Sequence, residues 1–355
     1  MKTALVRYPG IFLRLVRGRP TLASFNVTNR CNERCPMCNV WRSDAAELST
    51  AEIGTIFADL RRAGVGLVEI SGGEPLLRSD LPEIIEILDR LGFLFTMTTN
   101  GTLWRGDVVD ALCRSRGAVQ LAVSLDSLRP EVYRLLRGRD CLPAVLDVID
   151  RLGKARLGIP LKINLTLSRH NVDEAFDILE HARRRGLYLS VFPANGGPGR
   201  MHSSDDPLMA ASGDDRQRMA EVFRRLARLR RRGEPLWEFS GFYDLAAEFI
   251  TGNPPLECGA GRLFLDLHAD GRLAPCVERR PVADLRLVNV DEALERVAAQ
   301  ADAVAACARN TPCCYTCTAN VSLTARHPVR FALETLRVRL KRFARFHSGE
   351  DLRGD

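Results

Sequence analysis

The chain has 355 residues, with 51 Lys and Arg against 44 Asp and Glu for a formal charge of +7, and a pI near 9.0. At 46% hydrophobic and 27% charged residues it has the make-up of a folded globular protein, which excludes a disordered or fibrous chain and leaves room for one large domain plus a smaller one. Of the eleven cysteines, nine crowd near Cys31 and again between Cys258 and Cys317, a distribution that excludes a disulfide-knit secreted scaffold and points to metal in a reducing compartment.

Residues 1–20 are basic and amphipathic. Arg14 and Arg17 interrupt their apolar residues, so the segment has neither the continuous apolar run of a signal peptide nor the length of a membrane span, and a cytoplasmic chain is expected. An apolar segment, Leu22–Val27, then leads into Cys31-Asn-Glu-Arg-Cys35-Pro-Met-Cys38, three thiols spaced C-x3-C-x2-C. Thiolates are soft ligands that select zinc or iron–sulfur clusters. With no second Cys or His pair nearby, three cysteines fit a cubane with one open iron better than structural zinc. The spacing resembles the signature of the radical S-adenosylmethionine (SAM) family. The resemblance implies a [4Fe–4S] cluster on Cys31, Cys35 and Cys38 with SAM on its fourth iron, reductive cleavage of SAM to a 5′-deoxyadenosyl radical, and hydrogen abstraction from a substrate. Met37 occupies a position usually aromatic in that family.

Downstream, Ser49 and Glu52 form a capping box opening a helix to Ala63, whose apolar positions recur at helical spacing. The strand Leu67–Ile70 follows and ends in Ser71-Gly72-Gly73-Glu74-Pro75. Glycines at a strand end let backbone approach a ligand, and a carboxylate beside them can receive an ammonium group. This stretch resembles the family's GGE motif, which implies that Ser71, Gly72, Gly73 and Glu74 hold the methionine amine of SAM; a plain strand-to-helix turn is the other reading. A helix over Leu81–Leu91 and a strand over Leu94–Thr98 end in Thr99-Asn100-Gly101-Thr102. Another helix precedes the strand Val119–Leu125, where Ser124 and Asp126 share a face by the two-residue strand period and suit a ribose diol. The resemblance assigns Asn100, Ser124 and Asp126 to SAM, while Asp126 and Ser127 also read as a turn cap before Pro130. Arg137-Gly138 is family-like as well. Asn164, in the strand Leu161–Leu167, either faces SAM or is buried satisfying backbone. A sixth strand, Leu187–Phe192, runs into a loop rich in Pro and Gly.

Six strands alternating with helices predict an α/β fold with a parallel sheet, and the polar residues at the strands' C-terminal ends predict a barrel-like mouth. This matches the partial (β/α)6 TIM-like barrel that the resemblance implies, over residues 21–195. A doubly wound open sheet is the alternative, and the absence of G-x-G-x-x-G after the first strand counts against a dinucleotide fold. Residues 196–257 read as a linking loop and helices, with Phe242, Tyr243 and Phe249 as core.

The segment 258–320 opens a second cysteine pattern. Cys258 and Cys276 bracket a hairpin turning at Asp270-Gly271, and Cys307, Cys313, Cys314 and Cys317 follow. The arrangement resembles the SPASM and twitch auxiliary-cluster domains of the same family, although Val304 stands where the full SPASM pattern has a cysteine and none lies beyond Cys317. One auxiliary [4Fe–4S] cluster on Cys258, Cys276, Cys314 and Cys317 is expected, with Cys313 and Cys307 as alternates; a zinc knuckle on the same thiols stays open. The tail 321–355 carries a basic amphipathic helix over Pro328–Phe346, either packed on the domain or laid on an anionic membrane.

These features predict a radical SAM enzyme, of oxidoreductase or transferase type, acting on a small or lipid-linked metabolite. The resemblance implies a reducing partner such as flavodoxin or ferredoxin. Membrane-surface contact is left open, and no nucleic-acid partner is expected. A peptide- or protein-modifying enzyme and a non-catalytic iron–sulfur binding protein are the competing readings.

Overall fold

The computed structural model describes residues 2–43, 46–155, 157–196, 206–252 and 257–348, with side chains described between 9 and 341. Six strands alternate with helices as the hydrophobic pattern predicts. They are β1 (Leu22–Thr28), β2 (Leu67–Gly72), β3 (Leu94–Thr99), β4 (Ala118–Ser124), β5 (Leu161–Leu167) and β6 (Tyr188–Pro193). Before and between them run α1 (Lys2–Val16), α2 (Thr50–Arg62), α3 (Leu81–Arg90), α4 (Gly106–Arg114), α5 (Pro130–Arg137), α6 (Leu142–Lys154) and α7 (Ala175–Arg184). All six strands are parallel neighbours in sequence order. The Ser49–Glu52 capping box opens α2 as read from the sequence.

Period-two alternation explains both faces of the sheet. Phe25, Ile70, Met97 and Leu121 lie in register and point into the apolar core, where the helices' buried stripes meet them. The residues beside them in sequence, Ser24, Glu69, Thr96 and Gln120, form a polar row on the opposite face. A second polar row, Ser124, Asn164 and Ser190, lies closer to the strands' C-terminal ends. A sheet with one face under helices and the other polar can enclose a wet interior and a ligand-binding mouth.

After β6 come α8 (Gly213–Arg231) and α9 (Ser240–Thr251), packed on each other, then β7 (Phe264–Leu267), β8 (Arg272–Ala274) and β9 (Ala283–Asp284). The hairpin expected around Asp270-Gly271 is the antiparallel β7–β8 pair. Not foreseen from the residue pattern, β7 also pairs in parallel with β1, extending the sheet to the order β6-β5-β4-β3-β2-β1-β7-β8-β9. The cysteine-rich segment is thus joined to the barrel by continuous backbone hydrogen bonding, and β1 becomes an interior strand with all seven residues buried. The remaining helices are α10 (Val290–Ala298), α11 (Ala301–Asn310), α12 (Val321–Arg326) and α13 (Pro328–Ser348). No helix among the described residues is long and apolar enough to cross a membrane.

Candidate active site

At the C-terminal ends of the parallel strands a cavity of about 900 Å³, counting its open mouth, is lined by Cys31, Cys35 and Cys38 on one side and by Ser71, Gly72, Gly73, Thr98, Asn100, Ser124 and Thr166 on the other. Met37, Val40 and Trp41 add apolar surface beside the thiols, and Phe192, Pro193, Asn195 and Tyr315 form a further wall. Burial pushes all three thiols up, Cys38 to about 11. Thiols in such a setting ionise only beside a compensating cation, which is what a cluster's iron provides. Among the described residues no three His, Cys, Asp or Glu side chains converge on a single metal ion; the thiols surround space rather than a point. Their number, softness and shared cavity fit an iron–sulfur cluster.

The glycines at the end of β2 serve a close approach of backbone to backbone. Gly72 has φ +120°, and a Cβ there would lie 2.3 Å from Thr28 O; one on Gly73 would lie 2.1 Å from Arg30 O. Without side chains, Gly73 N–H donates to Thr28 O at 2.7 Å and Glu74 N–H to Arg30 O at 2.8 Å, fastening the start of the cysteine loop to β2. Glu74 does not face the cavity, contrary to the role expected for it. Its fully buried carboxylate accepts from Leu76 N–H at 3.0 Å, Thr99 Oγ1 at 2.7 Å and Asn100 N–H at 2.6 Å, and burial raises it to about 7. It braces the ends of β2 and β3 instead of presenting an acceptor to a ligand.

Asn100 extends that brace to the thiols: its Nδ2 donates to Asn32 Oδ1 at 2.7 Å and lies 3.9 Å from Cys31 Sγ. Ser124 reaches the cavity wall. Asn164 does not line the cavity, and its Oδ1 is buried without a hydrogen-bond partner in the row below. Asp126 borders the cavity, but its carboxylate is committed elsewhere, to Arg137 Nε at 2.7 Å and Thr166 N–H at 2.8 Å. A ribose diol therefore finds no free carboxylate at Asp126, and Thr166, which sequence reasoning passed over, joins Ser124 in the wall.

Arg137 is the centre of a buried network absent from the sequence reading. Its guanidinium lies between Asp126 and Glu33, the latter 3.5 Å away, and 4.0 Å from Cys35 Sγ. Tyr133 Oη donates to Glu33 Oε1 at 2.8 Å. Burial alone would lower Arg137, yet Asp126 and then Glu33 outweigh it and hold the side chain firmly charged. The Arg137 carbonyl also accepts from Arg34 N–H at 3.1 Å. The next residue, Gly138, has φ +69°, and a Cβ there would lie 2.5 Å from Arg34 O. The family-like Arg-Gly pair is thus a clamp closing α5 onto the cysteine loop.

In the second cysteine group, Cys258, Cys276, Cys307 and Cys313 line one small cleft together with Glu278 and Thr318. Cys314, expected as a ligand, instead turns into the main core, while its N–H donates to Asn195 Oδ1 at 2.8 Å and ties this segment to the wall of the first cavity. Cys317 lies outside that cleft; burial pushes its thiol well up, and Glu69, Cys313, Asp266 and Cys276 add to the effect. Cys113 and Cys141 belong to neither group.

A sheet of parallel strands with three loop thiols at its C-terminal mouth defines an S-adenosylmethionine-type iron–sulfur fold, and the comparisons with known proteins agree. The chain belongs to the Radical SAM superfamily, whose family model matches residues 25–182. A probable GTP 3′,8-cyclase of Methanothermobacter marburgensis is 32% identical over 282 residues, covering 76% of this chain and 87% of that protein. The corresponding protein of Methanothermobacter thermautotrophicus is 36% identical over 179 residues; that match spans 49% of this chain and only 58% of the relative's length. Solved structures with the same fold include Streptococcus suis SuiB bound to S-adenosylmethionine (TM-score 0.58, 18% identity, 73% of this chain and 61% of that one). Another is anSMEcpe with bound AdoMet and a peptide (TM-score 0.61, 13% identity, 92% of this chain and 100% of that one). A [4Fe–4S] cluster and SAM are the cofactors of this family, and the cavity described above has the donors for both.

Proposed function

We propose that Cys31, Cys35 and Cys38 hold the SAM-binding cluster, that SAM lies against the backbone of Ser71–Gly73 and the polar groups of Asn100, Ser124 and Thr166, and that the enzyme takes hydrogen from a small or lipid-linked metabolite. The observation that carries this reading is the cavity itself, with three thiols on one wall and strand-end polar groups on the other. When bound, the cluster supplies the electron that splits SAM into methionine and a 5′-deoxyadenosyl radical. The chain's own residues position and shield. Met37, Val40 and Trp41 give apolar surface for a nucleobase, and Phe192, Pro193 and Tyr315 keep solvent from the reacting centre. A reducing partner such as flavodoxin or ferredoxin completes the cycle.

Substrate charge separates the candidates. The cyclase relatives are named for GTP, yet Arg137 is the one cationic side chain among the described residues lining the cavity, and Asp126 and Glu33 already neutralise it. Among the described residues a triphosphate finds no free counter-charge there, and this favours a substrate of low charge. A second [4Fe–4S] cluster is assigned to the other group, on Cys258, Cys276 and Cys313 with Cys307 completing the set in place of Cys314 and with Cys317 as its alternate. It relays an electron or binds substrate.

Iron and sulfide analysis with Mössbauer spectra, on anaerobically reconstituted protein, tests both assignments. About eight irons are expected, falling to about four with loss of 5′-deoxyadenosine formation when Cys31, Cys35 and Cys38 become Ala. Zinc in place of iron, or a fully loaded wild type that makes no 5′-deoxyadenosine, turns the reading to a non-catalytic binding protein.

A further inference from the structure

The last helix is docked with its apolar stripe outward. Along α13, Val329, Leu333, Leu336 and Leu340 fall at i, i+4, i+7 and i+11, which places them in one line on a helix. They are 70%, 62%, 54% and 60% exposed. The helix meets the body through its other side. Glu334 accepts from Ser240 N–H at 2.8 Å and Ser240 Oγ at 2.6 Å, Val338 is buried, and Lys341 Nζ lies 2.5 Å from Glu234 Oε1. An amphipathic helix normally buries its apolar face, and the inverted docking leaves four large aliphatic side chains in water.

The charge around the stripe identifies what covers it. The only acidic residue of α13 is Glu334, which is turned inward, whereas Arg330, Arg337, Arg339, Lys341, Arg342 and Arg345 all belong to this helix. Arg330 and Arg337 flank the stripe on one side and are anchored there, by Glu334 and Asp244 and by the Arg231 carbonyl. Arg339 is exposed on the other flank. Next to α13, α12 also packs against α1, which exposes Leu13 and Val16 and belongs to a stretch of 32 residues with no acidic side chain before Glu33. An apolar line bordered on both sides by cations, with the helix's own carboxylate turned inward, complements the acyl boundary and the phosphates of an anionic bilayer.

We propose that α13 is a membrane-surface anchor, lying in the plane of an anionic lipid surface with Val329, Leu333, Leu336 and Leu340 inserted among the acyl chains. The assignment stands apart from the radical chemistry, since none of these residues touches either cysteine group.

The test is flotation of the full-length protein with vesicles of pure phosphatidylcholine and with about 30% phosphatidylglycerol, at about 0.1 and about 0.5 M NaCl. A Leu333→Ser/Leu336→Ser/Leu340→Ser variant, altered only at exposed positions, is run alongside, and circular dichroism checks its folding. Binding is expected to anionic vesicles, to weaken several-fold with salt, and to fall at least about tenfold in the variant. Failure of the wild type to float, or equal flotation of wild type and variant, overturns the proposal. So does a dimer in light scattering that dissociates in the variant while vesicles are ignored, since the stripe then belongs to a second copy of the chain.

Discussion

Two carboxylates around one guanidinium make Arg137 the residue whose removal leaves the most behind. Arg137→Met would strand Asp126 and Glu33 in the interior without a cation, which costs about 3–5 kcal/mol. The loss is expected as a lower urea midpoint of the cluster-free protein, measured by fluorescence. Arg137→Lys should recover only part of it, because an ammonium keeps the charge but cannot span both carboxylates. A midpoint unchanged in Arg137→Met would show that the carboxylates do not depend on this cation. The network also shows where residue-level reading stops. Soft ligands at short spacing are visible in a sequence, so the three thiols could be found, whereas Glu33 and Arg137 lie 104 positions apart and meet only because α5 returns to the cysteine loop. Residue type, place at a strand end and the family resemblance all mark Glu74 and Asp126 as ligand acceptors. What decides their role is which donors surround them, and that is set by tertiary packing.

The end of β2 and the cysteine loop behave as one element joined by backbone. Gly73→Ala places a methyl group inside the van der Waals radius of the Arg30 carbonyl, so the loop must shift before any ligand is considered. Overpacking of this kind costs about 1–3 kcal/mol. The expected outcome is a reconstituted protein short of the irons of the first cluster while the second is retained, read by iron analysis and Mössbauer spectra. Full loading of both would mean that the loop has room to spare. The elements themselves were largely legible, because period-two and period-3.6 patterns report which face is apolar: the six barrel strands follow from that, and α2 from its period together with the Ser49–Glu52 capping box. The pattern cannot report which way an amphipathic helix turns once its polar side also finds partners, as Glu334 and Lys341 do on α13. Nor could four residues of β7 announce that their parallel neighbour lies at the opposite end of the chain.

At the scale of the molecule, the shared sheet makes the barrel and the cysteine-rich segment one cooperative body. Urea unfolding of the cluster-free protein followed at Trp41, beside the first cavity, and by hydrogen exchange in β8 should give coincident transitions; separated midpoints would make the two parts independent. The pairing of β1 with β7 also bears on synthesis. Thr21 Oγ1 donates to the Leu263 carbonyl 242 residues further on, so β1, an interior strand of the finished sheet, leaves the ribosome without the partner for one of its edges. At about 5–20 residues per second, that edge waits roughly 12–50 seconds for its partner. For that interval the nascent chain offers β1's unpaired edge to any other strand, so the cell must keep it from pairing wrongly before iron is ever delivered.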